Sequence, residues 1–225
     1  GGESNTASSN WSTVGGGYSN ATTQTYATVG GGYDNTASAE SSTVGGGRSH
    51  FATQNYATVG GGLSNTASGI RSTVGGGGNN TASAESSTVA GGRNNVAAGD
   101  YSFAAGRKAK INEDHDGTFM FADQTDLDFD SAAANEFAVR SVGGVRFITG
   151  VDGSGVPTAG VTMAAGAGSW SSISARATKE NFTPVDVIAV LEKVASMPVE
   201  EWNYKAQEDS IRHIGPMAED FRAAF

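Results

Sequence analysis

The chain contains no cysteine, only four prolines and very few charged side chains in its first half. Without cysteine it has neither a disulfide framework nor a thiolate metal site, which is compatible with an extracellular location. Arg48 and Arg71 are the only basic residues before Arg93, and the net charge of the chain is -9. An acidic chain of this kind is a poor binder of nucleic acid or of an anionic membrane surface. No apolar stretch reaches the length of a transmembrane helix.

The first half is organised by a fifteen-residue repeat whose most constant part is Thr-Val-Gly-Gly-Gly. This motif begins at Thr13, Thr28, Thr43, Thr58 and Thr73, continues at Thr88, and fades near Gly106. A column of asparagines keeps the same period, at Asn5, Asn20, Asn35, Asn65, Asn80 and Asn95, and is interrupted once by His50. A strict period without insertions predicts a solenoid in which each repeat forms one coil and like residues stack.

Each coil should consist of short strands and tight turns, because three consecutive glycines are unfavourable in a helix. The glycine triplet supplies the corner at which the backbone needs a positive φ or a close approach to its neighbour. The valines that follow the threonines, from Val14 to Val89, are predicted to point inward.

The core of one coil is thin, since valine and alanine are joined by at most one large side chain such as Trp11, Tyr26, Tyr56 or Tyr101. Ordering fifteen residues costs roughly 1 to 2 kcal/mol of backbone entropy each, against two or three buried aliphatic groups. Several solenoids packed around a common axis would bury a second face. We therefore predict an obligate oligomer.

Repeats of the form Asn-x-Ala…Ser-Thr-Val-Gly-Gly-Gly resemble the heads of YadA-like trimeric adhesins. The resemblance covers residues 1–107 and implies a left-handed parallel β-roll assembled as a homotrimer. It also implies a cell-surface receptor or a glycan as the partner, and does not identify either.

Residues 108–150 no longer follow the repeat and are predicted to form a trimeric β neck that closes the solenoid. Glu136–Arg140 and Val145–Ile148 read as the two strands of a hairpin around Gly143 and Gly144. Residues 151–169 are rich in glycine and alanine and read as a narrow shaft or a linker.

Four aspartates lie close together in the predicted neck, at Asp123, Asp126, Asp128 and Asp130. Carboxylates are the hard oxygen ligands that calcium prefers, so the cluster is a weak candidate for a metal site. A solvated acidic loop is the alternative, since the loop lacks the central glycine and closing glutamate of an EF-hand. We predict no cofactor.

Residues 170–225 are predicted to form a small α+β module. Thr183 and Pro184 read as the N-cap and first position of a helix that Pro198 ends, and a second helix follows Pro216. Strands are predicted at Val199–Lys205 and Ile211–Gly215. The second helix reaches Phe225 without a C-cap, so we expect the module to be truncated.

This module is similar to the intramolecular chaperone auto-processing domain of endosialidase-type phage tail spikes. The motifs that carry the similarity are Ser174-Ala175-Arg176-Ala177-Thr178-Lys179-Glu180-Asn181, Trp202-Asn203-Tyr204-Lys205 and Arg212-His213-Ile214-Gly215-Pro216-Met217. The resemblance implies a domain that trimerises, drives folding of the fibre before it and cuts itself off between Ile173 and Ser174. It also implies that Ser174 is the nucleophile and Lys179 the base, with Asn181, His213, Gly215 and Pro216 as part of the chaperone motif.

The spacing constrains how such a dyad can work. Residues five apart share a face neither on a helix nor on a strand, so Ser174 and Lys179 need a turn between them or a lysine from a neighbouring chain. A lysine acts as a base only where burial or a nearby cation lowers its pKa. Ala175 stands where the family has aspartate, which places self-cleavage of this chain in question. His213 is either a third catalytic residue or a residue that positions the chaperone backbone.

Three functional classes remain open. The first is a trimeric fibre or adhesin with its chaperone attached, from a phage tail, an injection device or a bacterial surface. The second is the same molecule acting as a single-turnover self-cleaving peptidase. The third is an ice- or carbohydrate-binding β-solenoid without enzymatic role, suggested by threonine in every coil, although turn geometry and core packing also account for that threonine. A glycosidase is disfavoured because the repeats contain no close pair of carboxylates.

Overall fold

The structure, a computed structural model, describes residues 1–173 and 179–225. It is mainly β and divides into two compact units. The first unit contains Gly1–Phe147 and Val161–Ser171, and the second contains Ile148–Gly160 and Ser172–Phe225.

The first unit is a parallel β-solenoid built from two nine-stranded sheets. One sheet contains β1 (Thr6–Ala7), β3 (Ala21–Thr22), β5 (Thr36–Ala37), β7 (Phe51–Ala52), β9 (Thr66–Ala67), β11 (Thr81–Ala82), β13 (Val96–Ala97), β15 (Ala109–Ile111) and β17 (Phe129–Asp130). The other contains β2 (Thr13–Val14), β4 (Thr28–Val29), β6 (Thr43–Val44), β8 (Thr58–Val59), β10 (Thr73–Val74), β12 (Thr88–Arg93), β14 (Phe103–Arg107), β16 (Phe119–Ala122) and β18 (Phe137–Arg140). The predicted mainly β solenoid is therefore confirmed.

The register of the strands follows the fifteen-residue period. Thr28 pairs with Thr43 and Val29 with Val44, and both pairs are parallel. A third row of parallel bridges runs through Tyr18, Tyr33, Arg48 and Leu63 on the outside of the coils. Like residues therefore stack in columns, as the repeat predicts.

The glycine corner has the predicted positive φ and the predicted close approach between successive backbones. The third glycine of each triplet has a positive φ, for example +97° at Gly32 and +98° at Gly62. A Cβ atom at Gly62 would lie 2.1 Å from the carbonyl oxygen of Gly77 in the next coil. Only glycine fits a corner at which successive backbones approach so closely.

The valine column forms the core, as predicted. Val29, Val44, Val59, Val74 and Val89 are fully buried, and so are the alanines of the opposite sheet from Ala37 to Ala97. Val14 in the first coil is partly buried. The core of the repeat region thus contains small side chains almost exclusively.

The asparagine column is a buried hydrogen-bond ladder. The Nδ2 of Asn35 donates to the carbonyl oxygens of Gly31 and Gly47, at 2.9 Å each. Its Oδ1 accepts from the backbone N–H of His50 at 3.0 Å. One asparagine therefore binds three backbone groups of its own and the next coil, which explains why the column is so regular.

His50 is the weak point of this ladder. Its Nδ1 accepts from the backbone N–H of Asn65 at 3.0 Å, as an asparagine oxygen would. The Nε2 atom is buried without a hydrogen-bond partner of good geometry, where asparagine would donate twice. Burial lowers the pKa of His50 below its ordinary value of 6.5. Protonation would also place a hydrogen on Nδ1, facing the N–H of Asn65.

We expect the substitution His50→Asn to stabilise the solenoid by about 1 to 3 kcal/mol, because it restores two hydrogen bonds in a buried ladder. The gain should grow as the pH falls below 6.5. In that range the unfolded wild-type chain takes up a proton at His50 that the folded chain does not, so the wild type loses stability. Urea unfolding of both proteins at about pH 7.5 and about pH 5.5 measures the difference, in which contributions from other titrating groups cancel. Equal differences at the two pH values would contradict this prediction.

The solenoid continues past Arg107, the predicted end of the repeat region, and reaches Arg140. Ala104 pairs with Met120 and Met120 with Ala138, so the coils lengthen from fifteen residues to sixteen and then eighteen. Met120 is fully buried and Ala138 is 7% exposed, so these residues extend the inward column after the valines end. The extra residues lie in the connections between strands.

The predicted hairpin of Glu136–Arg140 and Val145–Ile148 is wrong. Strand β18 pairs in parallel with β16 as the last strand of its solenoid sheet. Strand β19 (Gly144–Val151) instead pairs with β20 (Pro157–Ala164), which also pairs with β21 (Ser171–Ser172). A strand thus occupies much of the segment read as a shaft or a linker.

The end of the second unit has the predicted α+β composition. It contains helix α1 (Val187–Ser196), the strands β22 (Glu200–Trp202) and β23 (His213–Gly215), and helix α2 (Ala218–Ala224). Strands β22 and β23 are antiparallel. None of the helices in the described part of the chain is long and apolar enough to span a membrane.

Helix α1 begins later than the sequence pattern predicts. Asp186, rather than Thr183, is the N-cap, and its Oδ1 accepts from the backbone N–H groups of Ile188 at 2.9 Å and Ala189 at 3.2 Å. Two side-chain bonds to the first turn make Asp186 the stronger cap.

Candidate functional site

The predicted cleavage position follows strand β21. The backbone N–H of Ile173 donates to the carbonyl oxygen of Gly160 at 2.9 Å, which holds the residue before the predicted scissile bond. The predicted nucleophile Ser174 and its neighbour Ala175 lie outside the described residues. Lys179, the predicted base, is exposed. Asn181 adopts a left-handed backbone conformation, with φ of +58°, in the connection to helix α1.

His213 lies within an aromatic cluster on the β22–β23 hairpin. Its ring stacks on Trp202, with centroids 4.7 Å apart, and meets Tyr204 edge to face at 5.5 Å. Its Nε2 is 2.9 Å from the Oε1 of Gln207. The imidazole is thus covered by Trp202 on one face, flanked by Tyr204 and engaged at one nitrogen, which favours a positioning role over a catalytic one.

Gly215 and Pro216 connect this hairpin to helix α2. Gly215 is the last residue of β23 and pairs with Glu200, and Pro216 lines a cleft of about 530 Å³. Trp202, Tyr204 and Met217 also line this cleft, and the Nε1 of Trp202 is buried without a hydrogen-bond partner. His213, Gly215 and Pro216 of the predicted chaperone motif therefore lie at or next to one hairpin. Asn181, the fourth residue of that motif, lies in the connection to helix α1.

Helix α1 buries none of its residues within the chain. Its apolar side chains Val187, Ile188, Leu191 and Val194 are between 47% and 71% exposed. This apolar helix face is therefore open to solvent in the single chain.

Two aspartates of the predicted metal cluster, Asp123 and Asp126, are held by neighbouring cations. Asp123 pairs with Arg140, with Oδ1 and Nε 3.2 Å apart, and accepts from the backbone N–H groups of Val142 and Thr125. The bond from Val142 is the main cause that lowers the pKa of Asp123 to about 2. Arg140 also donates to the carbonyl oxygens of Arg107, Thr125 and Leu127, so the pair ties the last two coils together.

Asp126 forms ion pairs with Arg107 at 2.9 Å and with Lys108 at 3.0 Å. Within residues 1–173 and 179–225, no group of three His, Cys, Asp or Glu side chains is placed to hold a metal. The calcium hypothesis for Asp123, Asp126, Asp128 and Asp130 therefore gains no support from the geometry. The sequence does not predict Arg140 as the partner of Asp123, because the coil that brings them together does not follow the fifteen-residue period.

Comparison with known families is informative for the C-terminal segment. Residues 174–225 match the family described as chaperone of endosialidase. No curated protein matches the chain. The matched range contains Lys179, the aromatic hairpin and both helices, and it begins at the serine predicted to be the nucleophile. The chain thus combines a parallel β-solenoid with a C-terminal chaperone-of-endosialidase module.

Proposed function

We propose that this protein is a trimeric fibre or tail-spike segment of a phage or a related injection device, deployed outside the cell. In this proposal the C-terminal module assembles three chains, guides folding of the solenoid and then releases itself. The observation that carries the proposal is the presence of a chaperone-of-endosialidase module after a β-solenoid in one polypeptide. This combination fits a phage tail or fibre-like protein.

Two features support association of three chains. The repeat region buries little beyond valine, alanine and its asparagine ladder, so a single solenoid has a small hydrophobic contribution for the residues that it orders. Helix α1 and the outer column of Tyr18, Tyr33 and Leu63 expose apolar surface that a second and third copy would cover. A parallel trimer would place equivalent columns around one axis.

Multi-angle light scattering tests this association. We expect the mass of three chains at micromolar concentration. A folded monomer at that concentration would contradict the trimer, and helix α1 would then need another partner.

The proposed cleavage is an attack by Ser174 on the peptide bond before it. The hydroxyl oxygen of Ser174 attacks the carbonyl carbon of Ile173, and Lys179 accepts the hydroxyl proton. That proton passes to the departing backbone nitrogen of Ser174, which leaves Ile173 as an ester on the serine oxygen. Water then hydrolyses the ester, so the fibre ends at Ile173 and the serine hydroxyl is regenerated. Lys179 is exposed in the single chain, so contact with a neighbouring chain would supply the desolvation that a lysine base requires.

We expect the complete gene product with Ala175→Asp to separate into two fragments between Ile173 and Ser174. Adding Ser174→Ala should abolish this cleavage and leave the oligomer intact, because the hydroxyl is needed for attack. Lys179→Met should also abolish it, since the hydroxyl proton then has no acceptor. Intact-mass spectrometry of the purified proteins provides the readout, and His213→Gln tests whether the histidine positions rather than reacts. Continued cleavage in the Ser174 variant would contradict the proposed self-processing.

An ice- or carbohydrate-binding solenoid is the second candidate function. The observation that favours it is the row of half-exposed threonines Thr28, Thr43, Thr58, Thr73 and Thr88, which project from one flat sheet at strand spacing. Core packing alone does not account for side chains that remain partly open to solvent. A measurable thermal hysteresis would favour ice binding, and its absence would remove ice binding from this alternative.

A further inference from the structure

One turn position, which recurs in successive coils, carries exposed aromatic side chains in a strained backbone conformation. Trp11, Tyr26, Tyr56 and Tyr101 occupy equivalent positions in their coils, with φ between +53° and +63°. They are between 52% and 71% exposed. Bulky residues seldom adopt a positive φ, so the strain at these positions must be offset elsewhere.

The fold itself does not require an aromatic residue at this position. Ser41, Arg71 and Ser86 occupy it in other coils with φ between +54° and +58°. In two serine coils the next residue also stabilises the turn, since the Oγ of Ser42 donates to Ala39 at 2.6 Å and that of Ser87 to Ala84 at 2.8 Å. In the coils of Tyr26 and Tyr56, alanine replaces this serine at Ala27 and Ala57, so the bond is lost, whereas Ser102 keeps it in the coil of Tyr101.

The coils of Tyr26 and Tyr56 share a surface composition that the serine coils lack. Gln24 and Thr25 precede Tyr26, and Gln54 and Asn55 precede Tyr56. Both glutamines are exposed, so each aromatic ring is accompanied by uncharged hydrogen-bonding groups. The equivalent residues before Ser41 and Ser86 are Ala39 with Glu40, and Ala84 with Glu85. Aromatic faces beside amides and hydroxyls are suited to a flat ligand that carries hydroxyl groups.

Tyr26 and Tyr56 are separated by the single coil that carries Ser41. Two coil steps at the spacing of stacked strands correspond to about 9.6 Å between their positions. Ser41 places no ring between the two aromatic side chains, and we call the position over Ser41 between them the notch. By contrast, Trp11 and Tyr26 lie in adjacent coils and their rings stack directly, with centroids 5.1 Å apart.

We propose that the notch between Tyr26 and Tyr56 binds one sugar residue of a neutral glycan. The tyrosine rings contact the apolar faces of the sugar, and Gln24, Gln54 and Asn55 provide hydrogen-bonding groups for its hydroxyls. Glu40 precedes Ser41 in the intervening coil, and its carboxylate would repel a sialylated or otherwise acidic sugar. The overall charge of -9 favours a neutral ligand in the same way.

This edge is poorly suited to be the interface between the three chains. Glu40, Glu85 and Asp100 lie along it, immediately before the column of turn residues, and of these Glu85 is paired with Arg71. A parallel trimer centred on this edge would bring equivalent carboxylates of three chains together, which is unfavourable. The sugar site therefore goes beyond the proposed assembly and does not require self-cleavage.

An array of neutral oligosaccharides built from hexose and N-acetylhexosamine units, with sialylated counterparts alongside, tests the proposal on the whole protein. We expect binding to neutral members, followed by titration calorimetry with the best one. Tyr26→Ser and Tyr56→Ser should each weaken binding about tenfold or more, since loss of a central aromatic contact costs over 1 kcal/mol. Serine is the residue that already occupies the equivalent turn position in two other coils, at Ser41 and Ser86.

Two further variants separate the notch from general aromatic adhesion. Ser41→Tyr fills the notch and should abolish binding although it adds an aromatic ring. Tyr101→Ser removes a ring from a distant coil of the same edge and should leave binding unchanged. The proposal is overturned if no neutral glycan binds, if Ser41→Tyr still binds, or if Tyr101→Ser weakens binding as much as Tyr26→Ser. It is also overturned if Tyr26→Ser lowers the oligomer mass, because the edge would then be a contact between copies of this chain.

Discussion

We expect the single substitution Gly62→Ala to unfold or severely destabilise the solenoid. The φ of Gly62 is +98°, and an added Cβ would lie 2.1 Å from the carbonyl oxygen of Gly77. The contacted atom belongs to the backbone of the next coil, so no side-chain rotation can relieve the clash. The coils must separate locally, which breaks ladder hydrogen bonds as well. We expect a loss of about 3 kcal/mol or more in the free energy of unfolding, measured by urea denaturation.

Gly61 in the same triplet provides the matched control. A Cβ at Gly61 would meet its nearest atom, the carbonyl oxygen of Gly46, at an ordinary distance of 3.6 Å. Gly61→Ala should therefore be tolerated, and the lower entropy of its unfolded chain could offset small losses. If the two alanine variants lose the same stability, close approach at the third glycine is not what fixes the corner.

The substitution Val44→Asp should have an effect of similar size for a different reason. Val44 is fully buried and pairs in register with Val29 and Val59, so an aspartate there would have apolar neighbours above and below. An unpaired carboxylate in such a column cannot be solvated without opening the coil. We expect a loss of about 4 kcal/mol, followed as the shift in thermal unfolding monitored by circular dichroism.

Thr43→Asp tests whether position rather than composition causes that loss. Thr43 is the adjacent residue of strand β6, faces away from the core and is half-buried. An aspartate at that position keeps access to water, so we expect a much smaller loss of stability than for Val44→Asp. A larger loss at Thr43 would mean that the strand faces the core with its other side.

The repeat region was predictable because one physical constraint recurs at a fixed period. The glycine triplet, the inward valines and the asparagine column each occupy equivalent positions, so the stacking of like residues follows from their spacing. The role of the asparagines required the structure. Their side chains satisfy carbonyl groups of two different glycine corners, and only the assembled coils show that those groups are buried.

The last coils were not predictable from the repeat. Met120 and Ala138 replace valine in the inward column, and the coil length changes to sixteen and eighteen residues. The fixed period therefore ends near Arg107. Without it the sequence does not show that Glu136–Arg140 pairs with an earlier coil, and the pattern predicts a hairpin instead. The Asp123–Arg140 pair was missed for the same reason, since its partners meet only when the longer coil is in place.

The C-terminal site was recognised from a family resemblance and not from spacing. Ser174 and Lys179 are five positions apart, which predicts no shared face, so the residues alone would not have suggested a dyad. The family match beginning at Ser174 supports the recognition of the module. The hairpin of Trp202 and His213 explains physically why aromatic residues cluster in that motif.

Native mass spectrometry of the complete gene product carrying Ala175→Asp tests the central proposal most directly. It reports the number of chains and the end of each chain in one measurement. We predict an assembly of three chains that each end at Ile173, with the C-terminal module released. A species that contains one chain, or whose chains all continue past Ser174, would contradict a trimeric fibre that processes itself.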